Sequence, residues 1–301
     1  MTITRKKNHI RRPLGERIGH AIIVVVLTLL CLVAIYPFWH VVMYSVSDSR
    51  QAMVGGLFFV PRGFTIHSYK MLLSTKQIFV AYRNSILQTA IGVLLSITIT
   101  VMTAFPLTQQ RFRGRRAFNF IFSLTMIFQC GMIPTFMLVK SLGLIDSFWA
   151  LIIPQLMTAY NMFVIKNYMT SVPASLSESA YLDGAGPFRT LFYIIVPVCA
   201  PVIAAVTMFY MVQYWNSYKE CLLYENTNAM QTLQMYLRVL MNSNTAMDSV
   251  AGDISAEQKA LLTDETVKMT AISISVIPVL IFYPFVQRFY TKGIVAGAVK
   301  E

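Results

Sequence analysis

The chain has 301 residues, of which 56% are apolar and only 13% charged, and its formal net charge is +12. A soluble domain carries about a quarter of its residues charged, so this composition excludes an ordinary soluble fold. The charges are confined to short stretches, and the uncharged remainder falls into runs long enough to cross a bilayer.

In chain order, residues 1–17 form a basic segment with Arg5, Lys6, Lys7, Arg11, Arg12 and Arg17. The first charge-free run, Ile18 to Ser47, is too long for a cleaved leader and has no small-x-small site after it. Leu30 precedes Cys31, which disfavours a lipoprotein site, so the run reads as a retained anchor. Near its outer end stand Tyr36-Pro37-Phe38-Trp39, aromatic residues suited to a membrane interface. An outer segment follows, with turn signals at Gly55-Gly56 and Pro61-Arg62-Gly63. Further charge-free runs lie at Asn84 to Gln110, Ala117 to Val139, Ser147 to Ile165, Thr190 to Tyr218 and Met269 to Gln287. About 20 apolar residues cross a core of about 30 Å. The next longest run, Asn226 to Leu237, is 12 residues and partly polar, so the count stops at six.

The expectation is an all-α polytopic membrane protein with transmembrane helices at about 18–47, 84–107, 117–139, 147–166, 193–215 and 269–288. These make one membrane domain, 18–292, with a tail at 293–301. Lys140 to Asp146 reads as a tight outer hairpin, and residues 216–268 as a long outer loop. With both ends in the cytoplasm, the inner pieces hold 15 basic and 4 acidic residues, and the outer pieces 10 and 9. Basic residues favour the cytoplasmic side. The cluster Arg111, Arg113, Arg115 and Arg116 therefore reads as a topology determinant near anionic headgroups rather than a nucleic-acid patch. Prolines recur in the runs, at positions 37, 106, 134, 154, 197, 201, 278 and 284. Such kinks often line a cavity, and plain kinks account for any single one equally well.

No catalytic set is present. There is no phosphate loop, no HExxH, no GxSxG and no CxxC, and the four cysteines and four histidines are scattered. No metal site or cofactor is expected. The six runs contain no Asp, Glu, Lys or Arg, whereas self-powered carriers commonly place ionisable groups at membrane depth. Any transport is then driven from outside the chain. The cytoplasmic segment 173–190 is the candidate input. Pro173, Ser175, Ser177 and Glu178 have helix-start chemistry, including the Ser-x-x-Glu spacing of a capping box. The helix would pass through Ala180, Tyr181 and Leu182 and stop at Asp183-Gly184-Ala185-Gly186-Pro187. A second helix would then enter the membrane through Phe188, Leu191, Phe192 and Ile195 to Pro197. This is a knuckle that a soluble motor could push, or a plain interfacial helix.

Glu178-Ser179-Ala180-Tyr181-Leu182-Asp183-Gly184-Ala185-Gly186, followed by Ile194-Ile195-Val196-Pro197, resembles the EAA motif of ABC importer permeases. Ser179 and Val196 depart from its usual residues. Arg83-Asn84-Ser85, Tyr214-Trp215-Asn216-Ser217 and the tail from Lys292 to Lys300 extend the likeness over nearly the whole chain. It is similar to the carbohydrate-uptake branch, including the maltose permease partner subunit and permeases for complex oligosaccharides. The resemblance implies a non-enzymatic subunit in a bacterial cell membrane, paired with a second permease and two cytoplasmic ATPase subunits that bind the ATP. It also implies an extracytoplasmic sugar-binding protein. Glu178, Ser179, Ala180, Asp183, Gly184, Ala185, Gly186 and Pro197 would couple to the ATPase.

Sugars bind through aromatic faces and hydrogen bonds. Candidates for the oligosaccharide path are Gln129, Tyr160, Asn161, Tyr210, Gln213, Tyr214 and Trp215, with Tyr210 and Tyr214 on one helical face. Interhelical hydrogen bonding explains the same residues. Contact with the binding protein is the expected use of the outer loop. The competing function is a self-contained secondary carrier or channel for a small polar solute, which the uncharged spans and the glycine-rich knuckle disfavour.

Overall fold

The computed structural model describes residues 14–128, 130–243 and 262–298. Most of the basic N-terminal segment, Gln129, residues 244–261 of the 216–268 loop and residues 299–301 lie outside them. Among the described residues regular structure is helical, apart from one antiparallel bridge between Ser47 and Phe64.

Helices α1 (Leu14–Ser45) and α4 (Lys76–Thr108) are unbroken, and both are long and apolar enough to cross a bilayer. Between them lie α2 (Ser49–Ala52), capped by the Asp48 carboxylate, and α3 (His67–Ser74). Where the next three charge-free runs predict continuous helices, the chain is bent each time. Helices α5 (Arg115–Ile127) and α6 (Met132–Ser141) meet at 120°, with Gly131 at φ 81° between them. A left-handed residue cannot continue a helix. Two 3-10 turns, Phe148–Leu151 and Ile153–Gln155, then lead into α7 (Ala159–Thr170) across a bend of 52°. Here the Thr158 hydroxyl accepts from the Asn161 N–H and starts α7 afresh.

Helix α8 (Ala174–Leu182) precedes α9 (Pro187–Thr190), a π-turn at Leu191–Ile195, α10 (Val196–Val198) and α11 (Ala200–Trp215). The line from Pro187 to Val198 meets α11 at 87°. Pro197 and Pro201 have no N–H to return to the preceding turn, so two carbonyls lose their helical partners where the bend falls. Counted by length and composition, these helices give two spans, or five if each bent pair is one; the sequence leads to six. The sixth charge-free run falls within α14 (Asp264–Ala298), one helix of 35 residues. Helices α12 (Lys219–Tyr224) and α13 (Leu233–Asn242) fold the beginning of the 216–268 loop.

The main core lies where α4 packs on α7 and α11, and includes Val101, Ala104, Phe105, Met162, Ile165, Val206, Tyr210 and Tyr214. Gly92 lets α4 and α11 approach closely. A Cβ there would stand 2.6 Å from Cζ of Tyr214. A second core joins α3, α4, α13 and α14 through Leu72, Ile78, Tyr236, Leu240 and Ala271. Helix α1 packs on α14, yet no residue of its most apolar stretch is buried. That surface is left for lipid or for another chain.

Candidate functional site

Helix α8 begins at Ala174, with Pro173 as its N-cap and no side-chain cap. This corrects the capping box expected at Ser175 and Glu178. Proline fixes its own φ and supplies the helix entry two residues early, so Ser175 and Ser177 lie inside the helix and Glu178 falls at its middle. The far end is more strongly determined. The Ala185 N–H donates to the Ala180 carbonyl at 2.9 Å, and the Gly184 N–H to the Tyr181 carbonyl at 3.1 Å. This crossed pair is a Schellman ending, which needs a left-handed residue just past the cap. Gly184 supplies it at φ 78°, and open space surrounds the place a Cβ would take. Gly186 is extended, Pro187 opens α9, and the Thr190 N–H closes back on the Gly186 carbonyl at 3.0 Å.

Ala180 is buried, whereas Glu178, Ser179, Asp183, Gly184, Gly186 and Pro197 are exposed and Ala185 half-buried. Leu182 is 89% exposed and Phe188 66% exposed. The turn therefore presents two large apolar side chains beside two carboxylates. The Val196 N–H donates to the Leu191 carbonyl five residues back, which widens the helix just before Pro197. Such π-turns frequently accompany functional sites. The residues quoted from Glu178 to Pro197 thus form one continuous feature: short helix, left-handed turn, widened helix, and a bend into α11.

The candidates for a substrate path are placed differently from one another. Tyr210 and Tyr214 are fully buried against α4. The Tyr210 hydroxyl shares a 2.8 Å hydrogen bond with that of Thr100, and the Tyr214 hydroxyl one of 2.9 Å with that of Ser96. Asn161 is buried. Trp215 is buried with its indole N–H unpaired. Gln213 is half-buried, and its amide donates to Oε1 of Gln155 at 3.2 Å. Tyr160 is 57% exposed. Gln129 lies outside the described residues.

The structure adds Gln88 and Gln155 to this polar layer. Both amides donate to the Leu151 carbonyl, at 3.0 and 2.9 Å. Each sits within a charge-free run, where an amide needs a partner, and that is the signal that could have found them. Arg83-Asn84-Ser85 also gains a physical role. The Asn84 amide donates to the carbonyls of Ala229 and Gln231, and the Ser85 hydroxyl accepts from the Leu233 N–H at 2.8 Å. This pins the start of the 216–268 loop to α4.

On the loop side, Asp146 accepts from the backbone and side chain of Asn226 at 2.7 and 2.8 Å. Those bonds hold its carboxyl below the usual carboxylate range. Both carboxyl oxygens of Glu225 are shielded and unpaired. Burial, and secondarily the charge of Asp146, push its pKa up to about 7.

A profile of the family described as "Binding-protein-dependent transport system inner membrane component" matches residues 78–295. The polygalacturonan/rhamnogalacturonan transport system permease protein YtcP of Bacillus subtilis (strain 168) is 35% identical over 274 residues, covering 91% of this chain and 95% of that protein. Protein LplC of the same organism is 34% identical over 268 residues, covering 89% and 90%. Among solved structures, a bacterial ABC transporter involved in the import of the acidic polysaccharide alginate superposes with a TM-score of 0.84 at 30% identity, covering 93% of this chain and 99% of that one. The chain belongs to the family of binding-protein-dependent transport system inner membrane components, as a permease subunit with the ABC importer permease fold.

Proposed function

We propose that this permease forms half of the translocation path of an ATP-driven importer of oligosaccharides. A second permease supplies the other half, two cytoplasmic ATPase subunits supply ATP binding and hydrolysis, and an extracytoplasmic sugar-binding protein delivers the substrate. The segment 173–190 is the coupling element, with Glu178 to Gly186 seated in the ATPase and Pro197 at the entry to the membrane. Both termini are cytoplasmic, the six charge-free runs cross the membrane, and the 216–268 loop faces the binding protein. One observation carries this reading: the Schellman turn at Gly184 holds Leu182 and Phe188 out in solvent, an arrangement that lowers free energy only when another surface covers them. The relatives' polysaccharide substrates make an acidic oligosaccharide the first to test.

The test is uptake of labelled oligogalacturonides in cells with and without the chain, together with recovery of ATPase subunits on the tagged permease. Loss of uptake on deletion, with ATPase recovered on the intact chain, is the expected result. An ATPase that never co-purifies, or ATP hydrolysis by the purified single chain, would overturn the coupling assignment.

A further inference from the structure

The turn between α4 and α5 and the inner side of α8 enclose a cavity of about 680 Å³. Small-ligand sites are typically about 300–1,000 Å³. Its lining divides by chemistry. Phe105 and Ile195 give apolar surface, Gln109 gives amide donors, and Arg111 and Arg115 give two guanidinium groups. Glu178 is the one carboxylate among the lining residues, so the cavity is net positive. Among the described residues, the side chains of Arg111 and Arg115 make no hydrogen bond or ion pair within the chain. Guanidinium forks match the oxygens of phosphate and bind them in pairs. The cavity also sits where the apolar helix α4 gives way to a basic turn, which the proposed topology puts at the level of phospholipid phosphates.

We propose that this cavity binds a phosphate ester, its phosphate between Arg111 and Arg115 and the rest of the ligand against Phe105 and Ile195. The ester comes from a phospholipid headgroup or from a soluble phosphorylated compound; the chemistry of capture is the same. A ligand held there touches the α4–α5 turn and α8 together, and so resists a change in their separation. The assignment to a phosphate ester uses only the cavity and its charges, the membrane level bearing on the lipid source alone, and stands whether or not α8 docks an ATPase.

The full transporter in detergent would be titrated with phosphatidylglycerol, with diacylglycerol as the phosphate-free control, and bound lipid read by native mass spectrometry. Phosphatidylglycerol is expected to bind and diacylglycerol not. Arg111→Gln with Arg115→Gln should weaken binding about tenfold or more, the size of losing hydrogen bonds to a charged group. Glu178→Gln should strengthen it about two- to fivefold, because a carboxylate that repels the phosphate is removed from the cavity wall; misfolding cannot produce that gain. Glycerol 3-phosphate serves as competitor: displacement shows that the soluble headgroup suffices, and no displacement assigns the site to lipid. Equal binding of diacylglycerol, indifference to the arginine pair, weakening by Glu178→Gln, or no binding of either phosphate compound would overturn the proposal.

Discussion

Gly184 offers a test in which only the backbone is perturbed. Its φ is 78°, and nothing lies within 4 Å of where a Cβ would point, so a side chain there meets no clash and fills no core. What remains is the cost of holding an L-residue in the left-handed region, about 1–2 kcal/mol. A β-branched residue stands at the upper end and asparagine well below it. A cost of that size lowers the population of the native turn about 5- to 30-fold relative to unwound alternatives. If the ATPase recognises only the native turn, its apparent affinity falls in proportion to the fraction of native turn that remains, by at most the same factor. The order expected for both ATPase recovery and uptake is Gly184 wild type, Gly184→Asn, Gly184→Ala, then Gly184→Val, with insertion and expression near wild type throughout. Co-purification titrated against ATPase concentration reads the affinity directly. Normal uptake by Gly184→Val, or an asparagine variant as defective as the valine one, would refute the reasoning, because a backbone effect must follow left-handed propensity.

Three further outcomes follow from the geometry. With Cys221 replaced, cysteines at Arg113 and Phe188 should resist an impermeant thiol reagent applied outside while one at Thr227 reacts; labelling at position 113 would reverse the topology. Gly92→Ala should destabilise the purified permease by about 1–3 kcal/mol, as overpacking does, because its Cβ would meet the Tyr214 ring at 2.6 Å; unchanged thermal unfolding would show that the ring yields freely. Glu225 has its folded pKa raised to about 7, so its contribution to stability is complete below its ordinary pKa and is lost as pH rises through about 7. Hydrogen-exchange protection around α12, taken relative to the intrinsic base-catalysed rate at each pH, should therefore fall over that interval, and Glu225→Gln should flatten that protection profile; Asp146, whose pKa is lowered, acts in the opposite sense and only in more acidic solution.

The end of α8 was legible because Asp183-Gly184-Ala185-Gly186-Pro187 combines a left-handed glycine with a proline that cannot extend the same helix. Its start was not, because Ser175 and Glu178 match a capping box while Pro173 fixes the entry earlier. The three bends were hidden for a different reason. Hydropathy sums transfer free energies and carries no direction, so Gly131 and Cys199 read as ordinary members of apolar runs. The spacing of Tyr210 and Tyr214 placed them on one face, but spacing cannot say whether that face meets a substrate or the chain's own α4. Their hydroxyls meet Thr100 and Ser96.

Those two hydrogen bonds bear on how the push at α8 proposed above would travel. Sliding α11 along α4 would break both, along with the contact of Tyr214 on Gly92, and would strip the buried Ser96 hydroxyl of its partner at a cost of about 1–3 kcal/mol, while Thr100 keeps its bond to the Ser96 carbonyl. Rotation where α10 meets α11 breaks none of them. The prolines at 197 and 201 have already removed helical bonds there, and the π-turn leaves the preceding backbone wider than an α-helix. The Cys199 N–H still donates to the Ile195 carbonyl at 2.8 Å, and the Cys199 carbonyl still accepts from Ile203 at 3.0 Å, so the bend is tethered on both sides. On the proposed coupling, a displacement of the knuckle would be absorbed at Cys199 before it disturbs the α4–α11 core, and α11 would turn as a rigid rod about the end that joins α10.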